Sequence, residues 1–332
     1  MFNKLIFFLI LLSFFYVDLY SQCFSSSGNP IGGTANMGTV NKKTIRISSF
    51  YKHACADKYF SGDERTDYNL KKARYNYIGT LLGYGLTDKI TIEAELGYFV
   101  NKIQEYPMFN IDPDTGRGLS NAVISGKFNL YSNKEKRFEI TAGIGGRIPL
   151  QSFAIQQNNN DLSIDVQPTT GSYGIIAQLF LIKENSFKGL RYFLINRFEY
   201  NFKNKEDYFM NNVQYKFGSV YYTSFFVSKH LWLPWTTGDG IWTVIFQVRN
   251  EIKAKRIQNN EIVAASGACL FYVAPQLNVT IQKKWNISLM FDYPIYQYYN
   301  ETQLGINYSF LINVTRDISF IKEKEEEKEA NM

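Results

Sequence analysis

The sequence contains few of the residues from which metal sites and disulfide frameworks are built. Its 332 residues include only three cysteines and two histidines. Three cysteines cannot form a disulfide framework, and no C-x-x-C spacing or cysteine–histidine pair occurs, so we predict no metal site and no cofactor. The net charge is +6. However, the lysines and arginines form no basic helix or stripe, so nucleic acid is not an expected partner.

Beyond its N-terminus the chain also lacks an uncharged stretch of the roughly 18 residues that a transmembrane helix requires. Its mean hydropathy is −0.23. Aromatic residues are abundant instead, with 27 phenylalanines and 24 tyrosines. This content excludes a disordered chain, and together with 23 glycines and only eight prolines it favours β-structure.

The two ends of the chain are predicted to lie outside the folded domain. Residues 1–22 have the pattern of an export signal, with Lys4 before the apolar run Leu5–Val17. An uncleaved anchor and a lipidated Cys23 are the alternatives. Residues 23–42 are predicted to be a periplasmic leader, or else a small plug in a barrel mouth. Residues 321–332 form a charged tail that we expect to be solvated.

Between these ends, apolar and polar residues alternate with the period of two that is typical of strands. In Lys89–Phe99, for example, Ile90 and Ile92 share one face and Glu93 and Glu95 the other. The pattern recurs about twelve times, in segments long enough to cross a bilayer as tilted strands. These segments are residues 43–53, 73–86, 89–99, 118–131, 137–149, 171–183, 189–201, 213–230, 242–254, 264–281, 285–294 and 304–320.

The connections between these segments alternate between short and long. Leu86–Lys89 and Gln282–Lys284 are short, whereas Leu150–Thr170 and Ile295–Gln303 are longer polar insertions. Short periplasmic turns and long extracellular loops are typical of transmembrane β-barrels. We therefore predict an all-β fold, an antiparallel outer-membrane barrel of about twelve strands over residues 43–320, with the lipid bilayer as its partner. A soluble β-core is the alternative.

Aromatic residues at the strand ends support this prediction, because amphipathic rings are stable at the depth of the lipid headgroups. All four tryptophans fall at predicted periplasmic ends, and tyrosines cluster where the eleventh strand emerges. The predicted interface residues are Trp232, Trp235, Trp242, Trp285, Tyr293 and Tyr296.

Charged residues on the polar faces would line the lumen. One interpretation is a conduit in which these charges orient a charged solute, and the other is a fixed ion-pair network that braces and partly fills the barrel. A barrel of this size lies between small filled barrels and open porins, so both outcomes are physically possible. The candidates are Glu93, Glu95, Lys127, Glu139, Arg147, Arg191, Arg197, Glu199, Arg249, Glu251, Asp292 and Asp317.

An enzymatic function has little support in the sequence. His53 precedes Asp57 and Asp63 and could form an Asp/His pair, with Cys55 nearby. No second local element fixes the geometry of a nucleophile and a base, so we predict that the protein is not an enzyme.

Two further features support the outer-membrane prediction. The final strand ends in Phe320, which resembles the assembly signal of bacterial barrels and implies the barrel-assembly machinery as a partner during biogenesis. Tyr20–Gln22 (YSQ) resembles signal ends of the Bacteroidota. The segments Ile78–Phe99 and Trp285–Phe310 resemble outer-membrane barrels labelled as transporters, akin to the barrel of the phenol meta-cleavage pathway.

The predicted function is an outer-membrane channel or transporter that passes small solutes through a charged lumen. The resemblance implies the transporter class but neither the solute nor any binding residue. A non-conducting barrel that binds a partner or braces an envelope complex is the second hypothesis. An enzyme that uses His53 is the third.

Overall fold

The computed structural model describes residues 38–66, 72–105, 112–151, 155–157, 160–208, 211–231, 240–282 and 284–320. The predicted signal peptide, most of the leader and the charged tail lie outside them. Long strands, numbered in chain order, are β1 Thr44–Ala56, β2 Lys72–Thr87, β3 Ile90–Glu105, β4 Asn121–Asn133, β5 Phe138–Pro149, β6 Gly174–Asn185, β7 Leu190–Asn201, β8 Val220–Leu231, β9 Ile241–Lys253, β10 Ala268–Ile281, β11 Trp285–Gly305 and β12 Tyr308–Ser319.

These twelve strands form one closed antiparallel barrel in which each strand pairs with its neighbours in the sequence. The barrel is closed by β1 and β12, whose register runs from Thr44 opposite Ser319 to Cys55 opposite Tyr308. Closure leaves no unpaired edge, which is the condition for a sheet to span a bilayer. The predicted fold class is therefore confirmed.

The alternation of residue types becomes an apolar exterior and a polar interior. Ile92, Phe246 and Leu289 are 46%, 48% and 52% exposed on the outer face. Their neighbours Glu93 and Gln247 are buried inside. An exposed apolar surface of this extent around a barrel is the surface that contacts lipid. No helix among the described residues is long and apolar enough to cross a membrane.

The aromatic residues are divided between the two faces. Tyr293, Tyr296 and Tyr298 are exposed on the exterior, as the rim prediction requires. Tyr299 belongs to the same group of tyrosines in the sequence but is only 1% exposed, because β10 and β11 shift register at Ile295 and this bulge changes the alternation. Other rings fill the interior toward the long-loop end, among them Tyr75, Tyr77, Phe99 and Tyr272.

The connections differ in length at the two ends of the barrel, as predicted, with one difference of detail. Residues 295–303 were predicted to be a loop but belong to β11, whose upper part pairs with Lys58–Gly62. Most of the connection between β8 and β9 lies outside the described residues, together with Trp232 and Trp235. By the rule for bacterial barrels, the short-turn end faces the periplasm, and both barrel ends of the chain lie there.

The end of the predicted leader lies inside the periplasmic mouth. Val40 is 1% exposed, and its backbone N–H donates to Thr91 Oγ1 on β3 at 2.7 Å. Gly85 on β2 permits this close approach, since a Cβ there would lie 2.0 Å from the carbonyl oxygen of Asn41. A Cβ at Gly38 would lie 3.5 Å from side-chain atoms on β5 and β6. Residues 38–43 therefore occupy the β2–β6 side of the mouth.

Candidate functional site

The interior contains a group of six paired ionic side chains from β3, β4, β5 and β7, which we name the cross-lumen cluster. Lys127 Nζ lies 2.9 Å from Glu93 Oε1, and these side chains are 0% and 1% exposed. The Lys127 ammonium group also lies over the ring of Phe180 at 4.4 Å. Ionic groups this deeply buried are stable only when paired. The members are Glu93, Glu95, Lys127, Arg147, Arg197 and Glu199.

Arg197 connects two separate parts of the barrel wall within this cluster. Its Nη1 and Nη2 donate to the two carboxylate oxygens of Glu95 at 2.9 and 3.2 Å, and its Nε donates to Glu199 Oε1 at 2.7 Å. Arg147 pairs with the other oxygen of Glu199. Because β4, β5 and β6 separate β3 from β7 along the wall, the pair of Arg197 and Glu95 crosses the interior.

A second group, the Asp292 cluster, lies on the opposite side of the interior. Asp292 accepts from Lys52 Nζ and Arg249 Nη1, both at 3.2 Å, and from Ser309 Oγ at 2.9 Å. The Arg249 guanidinium also lies over the ring of Tyr272 at 4.4 Å. In the same group, Lys253 Nζ lies 2.9 Å from Glu251 Oε1. The members are Lys52, Arg249, Glu251, Lys253 and Asp292.

The inward residues of β11 show how the layers follow one another from the periplasmic end. Asn286 and Ser288 come first, Met290 follows, and Asp292 is the next inward residue. Met290 packs with buried Ala274 and Leu311. A second apolar group at this side of the barrel contains Phe193, Phe226 and Ile245. The Asp292 cluster is therefore separated from the periplasmic mouth by a mixed layer, in which these apolar side chains lie beside buried Gln247 and Gln276.

Below that layer a pocket of about 290 Å³ opens at the periplasmic end. Residues 38–43 do not line it but occupy the β2–β6 side of the same mouth. Its wall consists mainly of amide and hydroxyl side chains contributed by β8 to β12. The lining residues are Arg46, Arg191, Phe193, Ser228, His230, Thr243, Ile245, Asn278, Thr280, Asn286, Ser288, Asn313, Thr315 and Asp317.

The charged residues of the periplasmic rim are also paired. Arg46 donates to the two carboxylate oxygens of Asp317 at 2.8 and 2.7 Å. Arg191, which is about half exposed, pairs with Glu184. Pairs at this exposure contribute little to stability, since solvent screens them. These ion pairs nevertheless engage both guanidinium groups that line the pocket.

The structure places the twelve predicted lumen residues in three environments. Arg191 and Asp317 lie at the rim. Glu139 is half-buried near the mouth and accepts a hydrogen bond from Thr141 Oγ1 at 3.0 Å. The other nine lie in the two clusters, Glu93, Glu95, Lys127, Arg147, Arg197 and Glu199 in the first and Arg249, Glu251 and Asp292 in the second.

Two cluster members were missing from the prediction. Lys52 shares the inward face of β1 with Arg46 and Ser48, and this even spacing was visible in the sequence. Lys253 follows Glu251 on the inward face of β9 in the same way. The neutral pocket residues Asn278 and Ser288 carried no comparable signal, because a polar residue on an alternating strand is unremarkable.

His53 lies on the outer face of β1, away from the lumen. Its Nδ1 is 2.8 Å from Asn76 Oδ1, and its ring lies 5.2 Å from that of Phe310. Cys55 is a buried free thiol. Among the described residues, no three histidine, cysteine, aspartate or glutamate side chains are grouped to hold a metal ion.

Comparisons with known proteins identify the fold but not a family. No family model and no curated protein matches the chain. The crystal structure of an outer membrane channel from Pseudomonas putida F1 is similar with a TM-score of 0.67 and 12% identity, over 87% of this chain and 100% of that one. The beta domain of the Bordetella autotransporter Brka is similar with a TM-score of 0.51 and 8% identity, over 83% and 100%.

The shared fold and the apolar exterior together describe a barrel of the bacterial outer membrane. The closed twelve-stranded sheet supplies the fold, and exposed side chains such as Ile144 and Leu289 supply the surface that contacts lipid. The predicted location and the bilayer as a partner agree with both observations. The resemblance to Bacteroidota transporters stays a prediction.

Proposed function

We propose that this protein is an outer-membrane channel that passes small solutes. The observation that carries the proposal is the polar inner face, which opens to the periplasm through the pocket of about 290 Å³. A polar inner face that begins at an open mouth is what a diffusion pathway requires. The similarity in fold to an outer membrane channel supports the same function.

In this proposal the cross-lumen cluster is the constriction of the pathway. Arg197 and Glu95 connect two walls, so a solute passes only when this pair separates or bends aside. Separation of the pair requires water to enter and replace the lost partner, because an unpaired buried charge is costly. In this proposal, the charged residues predicted to line the lumen act as a gate made of ion pairs.

A non-conducting barrel is the second candidate, and one observation favours it. Lys127 and Glu93 are 0% and 1% exposed, and the Arg147 and Glu199 side chains are each 1% exposed. Such burial fits a network that braces the wall and fills the lumen. The barrel would then bind a partner or support an envelope complex.

We also propose that the protein is not an enzyme. His53 contacts Asn76 on the outer face and lies away from the pocket lining. We further propose that the barrel-assembly machinery inserts the chain, on the basis of the closing strand Tyr308–Ser319 and the aromatic Phe320 that follows it.

Flux through the purified protein in planar bilayers and in swelling liposomes tests the channel. We expect ion conductance and uptake of small solutes, and a larger conductance in the double variant Glu95→Ala/Arg197→Ala. The matched control is Arg74→Ala/Glu105→Ala, which removes an ion pair of 3.2 Å on the outer face and leaves conductance unchanged. Absence of flux in both the original protein and the first variant would support the non-conducting barrel.

A further inference from the structure

The pocket has a wall of neutral polar side chains that lie side by side on five adjacent strands. In the strand register, His230 on β8 is opposite Thr243 on β9, which is opposite Asn278 on β10. Asn278 is opposite Ser288 on β11, which is opposite Asn313 on β12. The row therefore presents hydroxyl and amide groups at the spacing of neighbouring strands, about 4.8 Å. A second row of Thr280, Asn286 and Thr315 extends it toward the mouth.

Several of these groups are free to bind a solute. Within the described part of the chain, the side chains of Asn278 and Ser288 have no hydrogen-bond partner. Asn286 uses only its Oδ1, which accepts from Thr280 Oγ1 at 2.6 Å, so its two amide hydrogens stay available. Ser288 is 5% exposed and lines the pocket. A polar group at this depth gains free energy when a ligand hydroxyl supplies the missing bond.

The pocket offers no unpaired charge to an ionic ligand. Both guanidinium groups that line it are engaged, Arg46 with Asp317 at 2.7 Å and Arg191 with Glu184. An anion would have to displace one of these carboxylates, and a cation would have to displace one of the arginines. Either exchange loses an existing pair, which disfavours charged solutes relative to neutral ones.

The remaining surface of the pocket is apolar. Phe193 and Ile245 lie on the side of the pocket that faces the barrel interior. One aromatic side and one wall of amides and hydroxyls fit a ring that has C–H groups on its faces and hydroxyls at its edge. The volume of about 290 Å³ is near the lower end for small-molecule sites, which are about 300–1,000 Å³. A solute of one or two rings therefore fits it.

We propose that this pocket is a binding subsite for a neutral polyhydroxylated solute of the monosaccharide class. The subsite rests on the proposed channel function, because it would be the last binding position before the periplasm. Asn278, Ser288 and Asn286 bind the hydroxyls, and Phe193 contacts the ring. These side chains are held by paired strands of the barrel wall, so binding requires no movement of the barrel.

Calorimetric titration of the full-length protein in a detergent without a sugar headgroup tests the subsite. The probes are D-glucose, D-glucuronate and D-glucosamine, which share a ring and differ in charge. We expect glucose to bind weakly but measurably. Both charged sugars should bind at least about tenfold less tightly, because each would have to displace a member of an existing ion pair. Tighter binding of glucuronate, or no binding of glucose, would overturn the proposal.

Two variants assign the binding to the pocket. Asn278→Ala/Ser288→Ala removes two free hydrogen-bonding groups and should weaken glucose binding by about tenfold. Asn129→Ala removes an amide from β4, which does not line the pocket, and should leave binding unchanged. Heat-modifiable migration on gels verifies that each variant is folded. Equal affinity in both variants would overturn the site.

The same measurements separate this proposal from the channel itself. Glucose binding without any flux in liposomes would reject the channel and keep the subsite. Flux with no glucose binding would keep the channel and reject the subsite.

Discussion

Two regions of the lumen are built from the same alternating strands but differ in chemistry. The cross-lumen cluster contains only ionic side chains, each paired and nearly inaccessible to solvent. The periplasmic pocket is lined mainly by neutral amides and hydroxyls, and groups such as those of Asn278 and Ser288 have no partner in the described residues. The comparison teaches that charged residues inside a barrel are not necessarily the residues that a solute can reach. Here the charges close the interior, and the neutral groups face open space.

The largest effect is expected when one member of the closed region is removed. Arg197→Ala leaves Glu95 buried without its cation and removes one of the two partners of Glu199. We expect the free energy of unfolding to fall by about 3–5 kcal/mol, the range for breaking a buried pair. Urea unfolding in lipid vesicles measures it.

The rim supplies the control for that variant. Arg46 pairs with Asp317, but these side chains are 20% and 43% exposed. Arg46→Ala should therefore cost less than about 1 kcal/mol. Equal losses in the two variants would show that the cluster is not sealed.

An intermediate effect is expected at the boundary between the two regions, where residues 38–43 lie in the mouth. Gly85→Val places side-chain atoms against the carbonyl oxygen of Asn41, which a Cβ would approach to 2.0 Å. We expect a loss of about 1–3 kcal/mol in unfolding free energy and a larger conductance, because the segment must leave its position. Protease sensitivity of the N-terminal segment reports its release.

Gly146→Ala is the matched control, since a Cβ at Gly146 would meet no atom within 4 Å. Stability and conductance should both be unchanged. If Gly85→Val behaves like this control, residues 38–43 do not obstruct the mouth.

The smallest effect is expected in the pocket. Asn278→Ala removes a side chain without a partner among the described residues, so the unfolding free energy should change by no more than about 0.5 kcal/mol. Asn201 is the contrasting amide, because its Oδ1 accepts from Arg147 and its Nδ2 donates to Gly218 O at 2.9 Å. Asn201→Ala should cost about 1–3 kcal/mol. Thermal and urea unfolding measure both variants. An equal loss of unfolding free energy in the two variants would contradict the comparison.

The sequence predicted the strands and the faces well because both follow from a period of two. It placed Glu93 and Glu95 on one face with Ile92 on the other, and the structure has this arrangement. Alternation is a local property, whereas pairing across a barrel depends on strand number and stagger. The contact between Arg197 and Glu95 could therefore not be read from positions that are 102 residues apart.

Local irregularities were the other limit of prediction. The bulge at Ile295 turns Tyr299 inward, and β11 continues through a segment that has the composition of a loop. A register shift of one residue reverses every later side chain, and no residue type in that segment announces it.

The most direct test of the division of the lumen is the reactivity of introduced cysteines toward a membrane-impermeant thiol reagent added from the periplasmic side. Asn278→Cys lies in the pocket, and Ser125→Cys lies inside the barrel beside Lys127, where the native side chain is 3% exposed. The unsubstituted protein, with its own three cysteines, is the blank. We predict rapid labelling at position 278 and much slower labelling, close to that of the blank, at position 125. Equal labelling at both positions would contradict a sealed charged region beside an open neutral one.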